Sequence, residues 1–145
     1  MQSIIRPREL QARPAKRVRL ALAPVQAGFP SPADDHLDGH IDLNELLIEN
    51  EPATFITRAA GDSMEGAGIF DGDLIIVNRA LRPVNGSLIV AELNGEFTLK
   101  RLRIIAGQPW LYAENAHYKP IRVTTELNVW GVVKHTIRIH GHAHE

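Results

Sequence analysis

From residue 54 onward, apolar residues fall in short runs separated by polar turn residues, the pattern of strands. Residues 54–60, 74–79, 87–93, 96–103, 110–114 and 128–139 are rich in Val, Ile, Leu and Thr, and Gly, Asn, Asp and Pro punctuate the gaps. The pattern predicts six strands. Leu93-Asn94-Gly95-Glu96 reads as a hairpin, because Asn-Gly supplies the two positive φ angles of a type I′ turn. Gly68, Asp71 and Gly72 mark a second dense turn. One helix precedes the strands, over residues 42–50. Asp42 is placed to cap it, Glu45 lies three residues on, and Leu43, Leu46 and Leu47 form the apolar stripe of two to three turns. The expected fold is mostly β: a compact, largely antiparallel domain with one short helix.

The first residues follow a different rule. Five of the nine prolines, Pro7, Pro14, Pro24, Pro30 and Pro32, fall before residue 33. Each fixes its own φ, lacks a backbone donor and pushes its predecessor toward extended geometry. Residues 1–40 are therefore expected to form an extended arm, and residues 41–145 the folded domain. Asp34, Asp35 and Asp38 read as a solvated acidic connection between them.

Charge sharpens this division. Residues 1–20 hold six cations and one anion, a net +5, whereas the remainder holds ten cations and sixteen anions, a net −6. The balanced total disfavours a general nucleic-acid or membrane-surface binder, which would carry a basic excess. It conceals a basic arm on an acidic body. Cysteine is absent, which excludes disulfide scaffolds, thiolate metal sites and cysteine nucleophiles. No apolar run approaches the roughly 20 residues that span a bilayer, and no secretory signal pattern opens the chain. A cytoplasmic location is expected.

Most catalytic templates fail. Gly61-Asp62-Ser63-Met64-Glu65 lacks the second glycine of the Gly-x-Ser-x-Gly elbow, and neither His-Glu-x-x-His nor a phosphate-cradling glycine loop occurs. His36 and His40 flank a turn-like Gly39, and His140, His142 and His144 read as a solvated tail, so no metal or other cofactor is expected. Ser63 lies at the end of a strand-like run, where a tight turn exposes a hydroxyl, yet an ordinary turn serine fits the local pattern equally. A serine nucleophile needs a base. Lys100 stands in the strongly β-patterned run after the Asn-Gly turn, among Phe97, Leu99 and Leu102. An ordinary lysine is only about 0.04% neutral at pH 7, and burial is what makes one basic enough to act. Periodicity alone leaves it as an exposed strand lysine.

Four motifs, in order, carry a resemblance to a known family. Ala27-Gly28-Phe29-Pro30-Ser31-Pro32 and Ile41-Asp42-Leu43-Asn44-Glu45-Leu46-Leu47-Ile48 are followed by Gly61-Asp62-Ser63-Met64 with Gly68-Ile69-Phe70-Asp71-Gly72-Asp73-Leu74-Ile75-Ile76-Val77. The last is Gly95-Glu96-Phe97-Thr98-Leu99-Lys100-Arg101-Leu102. Together they resemble the LexA/UmuD family of self-cleaving serine peptidases from about residue 27 to 139, and the first two resemble its UmuD-like branch. The resemblance implies a signal-peptidase-like β domain that forms homodimers. It implies Ser63 as nucleophile, Lys100 as general base, backbone amides at Asp62 and Ser63 as the oxyanion hole, and Ala27-Gly28 as the scissile bond. It implies partners too: a RecA filament on single-stranded DNA that promotes the cut, and a UmuC-like translesion polymerase that takes the product.

Only about 27 proline-interrupted residues precede the cleavage segment, too few for the helix-turn-helix of a repressor, so sequence-specific DNA binding is not expected. Ala27 departs from the Cys-Gly bond of some UmuD proteins, but both residues are small. The competing readings are a dimeric adaptor that never cuts itself and a phage-repressor-type C-terminal domain.

Overall fold

The protein is described by a computed structural model covering residues 8–9, 17–21 and 37–141. These fall into two compact units: residues 17–21 with 37–49, and residues 8–9 with 50–141.

In the larger unit, chain order runs β1 (Arg8–Glu9), β4 (Thr54–Arg58), β5 (Leu74–Asn78), β6 (Leu88–Leu93), β7 (Glu96–Ile105), β8 (Gln108–Tyr112), β9 (Ile121–Arg122) and β10 (Asn128–Ile137). The smaller unit supplies β2 (Arg17–Ala21), β3 (Leu37–Asp42) and the helix α1 (Leu43–Leu47). The fold is mostly β, as the apolar runs and turn residues predict. The large sheet has the order β1-β4-β5-β10-β6-β7-β8-β9, antiparallel throughout. Each of the six sequence-predicted strands is present, with no end shifted by more than two residues.

Local turns set the register of the second half. Asn94 (φ 51°) and Gly95 (φ 81°) adopt the two positive angles expected of the β6–β7 hairpin, so Leu93 pairs with Glu96 and Ile89 with Lys100. The β7–β8 turn uses the same geometry with Ala106 (φ 50°) and Gly107 (φ 77°). Nothing local closes β10 into place between β5 and β6. It gets there by burying Val132 and Val133, and it bends at two register shifts, between Val129 and Gly131 and between Val133 and His135.

Side chains on both faces of the central strands are buried. Ala59, Met64, Ile69, Ile75, Val77, Val90, Leu99 and Val133 form one apolar cluster. Ile89, Ala91, Leu102, Leu111, Val123 and Val132 form the other. Adjacent residues of β6 (Ile89, Val90, Ala91) thus enter different clusters, which is why its run reads as continuously apolar. Buried Asp73 is held by a bidentate pair of 2.8 Å contacts from Arg138 and by the Phe70 amide at 2.9 Å. The Arg138 bond, the largest influence, keeps its carboxyl below the ordinary carboxylate range.

Two features of the smaller unit differ from expectation. The helix is a little over one turn long. Asp42 caps it through the Asn44 amide at 2.9 Å, but none of its residues is buried and Ile48 is already extended. Without a packed face, so short a helix has nothing to propagate against. Parts of the expected extended arm and acidic connection pair as strands, Arg17–Ala21 against Leu37–Asp42, with Val18 opposite Ile41. The Gly-His interruption hides that alternation.

Ala106 is a residue with a Cβ in the left-handed region, where each such residue costs roughly 1–2 kcal/mol and Asn is better tolerated. Ala106→Asn is expected to stabilise the protein by about 0.5–1 kcal/mol. Equilibrium urea unfolding checks this: the midpoint rises with an unchanged slope.

Candidate functional site

Ser63 is placed by the turn that leaves β4. The strand pairing continues past Arg58, with Ala59 donating to the Asp73 carbonyl and accepting from Gly72, each at 2.8 Å. The chain then turns at Gly61 (φ 87°), whose amide donates to the Asp71 carboxylate at 2.9 Å. A 3-10 turn, Glu65–Ala67, follows and ends on Gly68 in the left-handed region. Met64 enters the first apolar cluster, and its burial draws Ser63 inward to 2% exposure. The dense turn read from Gly68, Asp71 and Gly72 is therefore the other wall of the Ser63 turn.

Lys100 comes from the middle of β7, flanked by paired strands on both sides. Neighbouring Leu99 and Leu102 and its cross-strand partner Ile89 are all buried, and Lys100 itself is only 7% exposed. The exposed strand lysine allowed by periodicity is therefore a core residue. Its Nζ lies 3.3 Å from Ser63 Oγ, 2.9 Å from Thr98 Oγ1 and 3.2 Å from the Leu99 carbonyl oxygen. Burial lowers its pKa, since an ammonium is harder to desolvate than an amine.

The structure thus brings together two residues 37 positions apart in the sequence. Asp62 sits beside Ser63, exposed, with its carboxylate accepting a hydrogen bond from the Tyr118 hydroxyl. Ala27 and Gly28 lie outside the described residues, as do His36, His142 and His144. Among the described residues no group of three His, Cys, Asp or Glu side chains is placed to hold a metal, and no helix is long and apolar enough to cross a membrane.

Sequence reading missed two parts of the site. Thr98 had a usable signal, because residues i and i+2 of a strand share a face and Thr98 is two before Lys100. The segment from Glu114 to Tyr118 had none. It bonds to Asp62 and Ser63 across more than fifty residues of chain.

A buried serine hydroxyl beside a buried amine of lowered pKa can act as a nucleophile with its own base. The chain's similarities agree with that chemistry. Residues 20–134 match the family described as Peptidase S24-like. Protein ImpA of Salmonella typhimurium is 41% identical over 114 residues, 77% of each chain. Protein MucA of Escherichia coli is 35% identical over 119 residues, covering 80% of this chain and 81% of its own. The LexA repressor of Photorhabdus laumondii is 38% identical over 99 residues, which span 68% of this chain and 49% of the repressor. With four LexA/UmuD-type motifs in order, a mostly β fold and matches of this extent, the chain belongs to the Peptidase S24-like family as a UmuD-like member.

Proposed function

We propose that the protein is a self-cleaving serine endopeptidase of the DNA-damage (SOS) response, in which Ser63 attacks the Ala27-Gly28 bond with Lys100 as its base. The observation that carries this reading is the 3.3 Å approach of Lys100 Nζ to Ser63 Oγ inside an apolar surround. A neutral amine has two N–H groups and one lone pair. Thr98 Oγ1 and the Leu99 carbonyl accept the two hydrogens, which leaves the lone pair directed at the Ser63 hydroxyl.

The steps follow from that arrangement. Lys100 takes the Ser63 proton as Oγ bonds to the Ala27 carbonyl carbon. The oxyanion is met by backbone amides at Asp62 and Ser63. The protonated Lys100 then gives its proton to the Gly28 nitrogen as the peptide bond breaks. Water, deprotonated by Lys100, releases Ala27 from the acyl-serine. Small side chains at Ala27 and Gly28 allow the backbone to approach the hydroxyl closely.

In this reading residues 1–40 are the arm that carries the cleavage site, and residues 41–145 the peptidase and dimerisation domain. The protein works in the cytoplasm as a homodimer. RecA filaments on single-stranded DNA favour the conformer whose arm lies in the site. The shortened chain then serves as an accessory subunit of a UmuC-like translesion polymerase.

Incubation with RecA, ATP and single-stranded DNA is expected to give a product whose N-terminal sequence begins at Gly28, whereas Ser63→Ala stays full-length. Normal processing of the folded Ser63→Ala chain would overturn the nucleophile assignment.

The pH dependence is fixed by the direction of the Lys100 shift. Without RecA, self-cleavage is expected to rise with pH to a plateau, with a midpoint below the ordinary lysine value of 10.5. A flat alkaline profile contradicts a lysine base. A lysine whose folded pKa lies below its unfolded value costs stability below the folded pKa, and that cost fades as the pH rises to the unfolded value. Lys100→Met is therefore expected to be uncleaved and to melt at a higher temperature than the wild type near neutral pH. A melting temperature that falls instead argues against the buried-amine cost.

A further inference from the structure

Three residues far from Ser63 in sequence, Glu114, Asn115 and Tyr118, hold the turn it stands on. The Glu114 amide donates to the Ser63 carbonyl at 2.8 Å, and the Gly66 amide donates to the Glu114 carbonyl at 2.7 Å. Asn115 Nδ2 donates to the Asp62 carbonyl at 2.9 Å, and the Tyr118 hydroxyl donates to the Asp62 carboxylate. Asp62, Ser63 and Gly66 are thus each fixed by residues 114–118, and no strand ladder requires these contacts.

The consequence lies in the peptide planes. In a trans peptide the C=O and N–H point in opposite directions across the C–N bond. The carbonyl of Asp62 belongs to the same peptide unit as the N–H of Ser63. Aiming that carbonyl at Asn115 turns the Ser63 N–H away from residue 115. A hydrogen bond to the carbonyl also polarises the amide, which makes its N–H a stronger donor. The Glu65 amide, 3.3 Å from the same Asp62 oxygen, adds to both effects.

We propose that Asn115 is a positioning residue for the self-cleavage reaction: its side-chain amide sets the orientation of the Asp62–Ser63 peptide, so that the Ser63 N–H is fixed in advance as an oxyanion donor, with Tyr118 securing the same peptide through the Asp62 side chain. This rests on the reading of Ser63 as nucleophile.

The segment is built to hold Asn115 in one orientation. Its Oδ1 accepts from the His117 amide at 2.9 Å, which leaves Nδ2 to face Asp62, and its carbonyl accepts from the Tyr118 amide at 3.1 Å. Glu114 is anchored to β7 by Arg101 Nε at 2.7 Å, and the same guanidinium donates to the Gly86 carbonyl at 2.8 Å. Arg101 is the residue after Lys100, so one strand supplies both the amine and the support for the segment that orients the serine. Gly66 completes the fit, because a Cβ there would lie 2.4 Å from the Glu114 carbonyl oxygen. The bond to Asp62 also raises the Tyr118 pKa, which favours the protonated hydroxyl that makes it.

The test uses the full-length chain and a fluorophosphonate, which reacts covalently with an activated serine and does not need the arm in the site. The labelling rate is measured against pH for the wild type, Ser63→Ala, Asn115→Ala and Tyr118→Phe, alongside the melting temperature. Deleting a direct oxyanion donor costs about 10²–10³ in rate, and loosening one is expected to cost less. Asn115→Ala is expected to lower the alkaline plateau about 10–100-fold, with the midpoint of the profile unmoved because Lys100 is untouched. Tyr118→Phe, which removes one hydroxyl, is expected to lower the plateau several-fold. It serves as the deciding variant where Asn115→Ala does not fold. A purely structural role would shift the melting temperature and leave the plateau of the folded chain within two-fold of wild type, and that result overturns the proposal. Absence of wild-type labelling at Ser63 overturns the nucleophile reading and this one with it. Labelling at Ser63 that is indifferent to residues 115 and 118 overturns this one alone.

Discussion

If Lys100 is the base of the proposed reaction, its amine has to be kept out of water, and that is the constraint on which the site depends. A lysine in solvent is an ammonium with no lone pair to offer. Here one sits in a paired strand at only 7% exposure, and the desolvation lowers its pKa. Burial of a polar group is costly unless hydrogen bonds replace water. Thr98 Oγ1, the Leu99 carbonyl and Ser63 Oγ replace it, all within 3.3 Å. Satisfaction and reactivity therefore come from the same three contacts.

Dryness at that point is assembled from strands distant in sequence. The Asn94-Gly95 turn sets Ile89 beside Lys100 cheaply, through a short loop. Strand β10 inserts between β5 and β6 and adds Val132 and Val133 to the two apolar clusters. Arg138, just past β10, secures its end by pairing with Asp73 at the start of β5. The charge pair is long-range, with its carboxylate buried and its guanidinium partly in water. It fastens the last strand to the loop that also bounds the Ser63 turn.

What could be read from the sequence divides along the same line. The apolar strand runs, the Asp42 cap and the Asn-Gly hairpin are legible because each is decided by residues within a few positions of one another. The helix was overestimated because its apolar stripe found no packing partner, and a stripe does not report its partner. Ser63 and Lys100 were ambiguous from their own surroundings and stood out only through the family motifs. A lysine's burial is decided by what packs across from it, and a serine's reactivity by what lies 37 residues away. Asn115 and Tyr118 left no local mark at all. An Asn-x-x-Tyr in a loop looks the same whether it faces solvent or holds the Asp62–Ser63 peptide.

The strand pairings at the N-terminus bear on what a broken bond would accomplish. Ala27-Gly28 lies in sequence between β2 and β3, while β1 and β2 both precede it. Arg8–Glu9 pairs with β4, and Arg17–Ala21 pairs with Leu37–Asp42, so each early strand is registered against a strand on the far side of the cut. Scission there would turn the β2–β3 pairing into a ladder between two separate chains, with Arg8–Glu9 and Arg17–Ala21 still registered against the other chain. Cutting and letting go are then different events with different barriers. The second is strand dissociation, and its rate depends on the length and register of those short ladders and owes nothing to the chemistry of the serine.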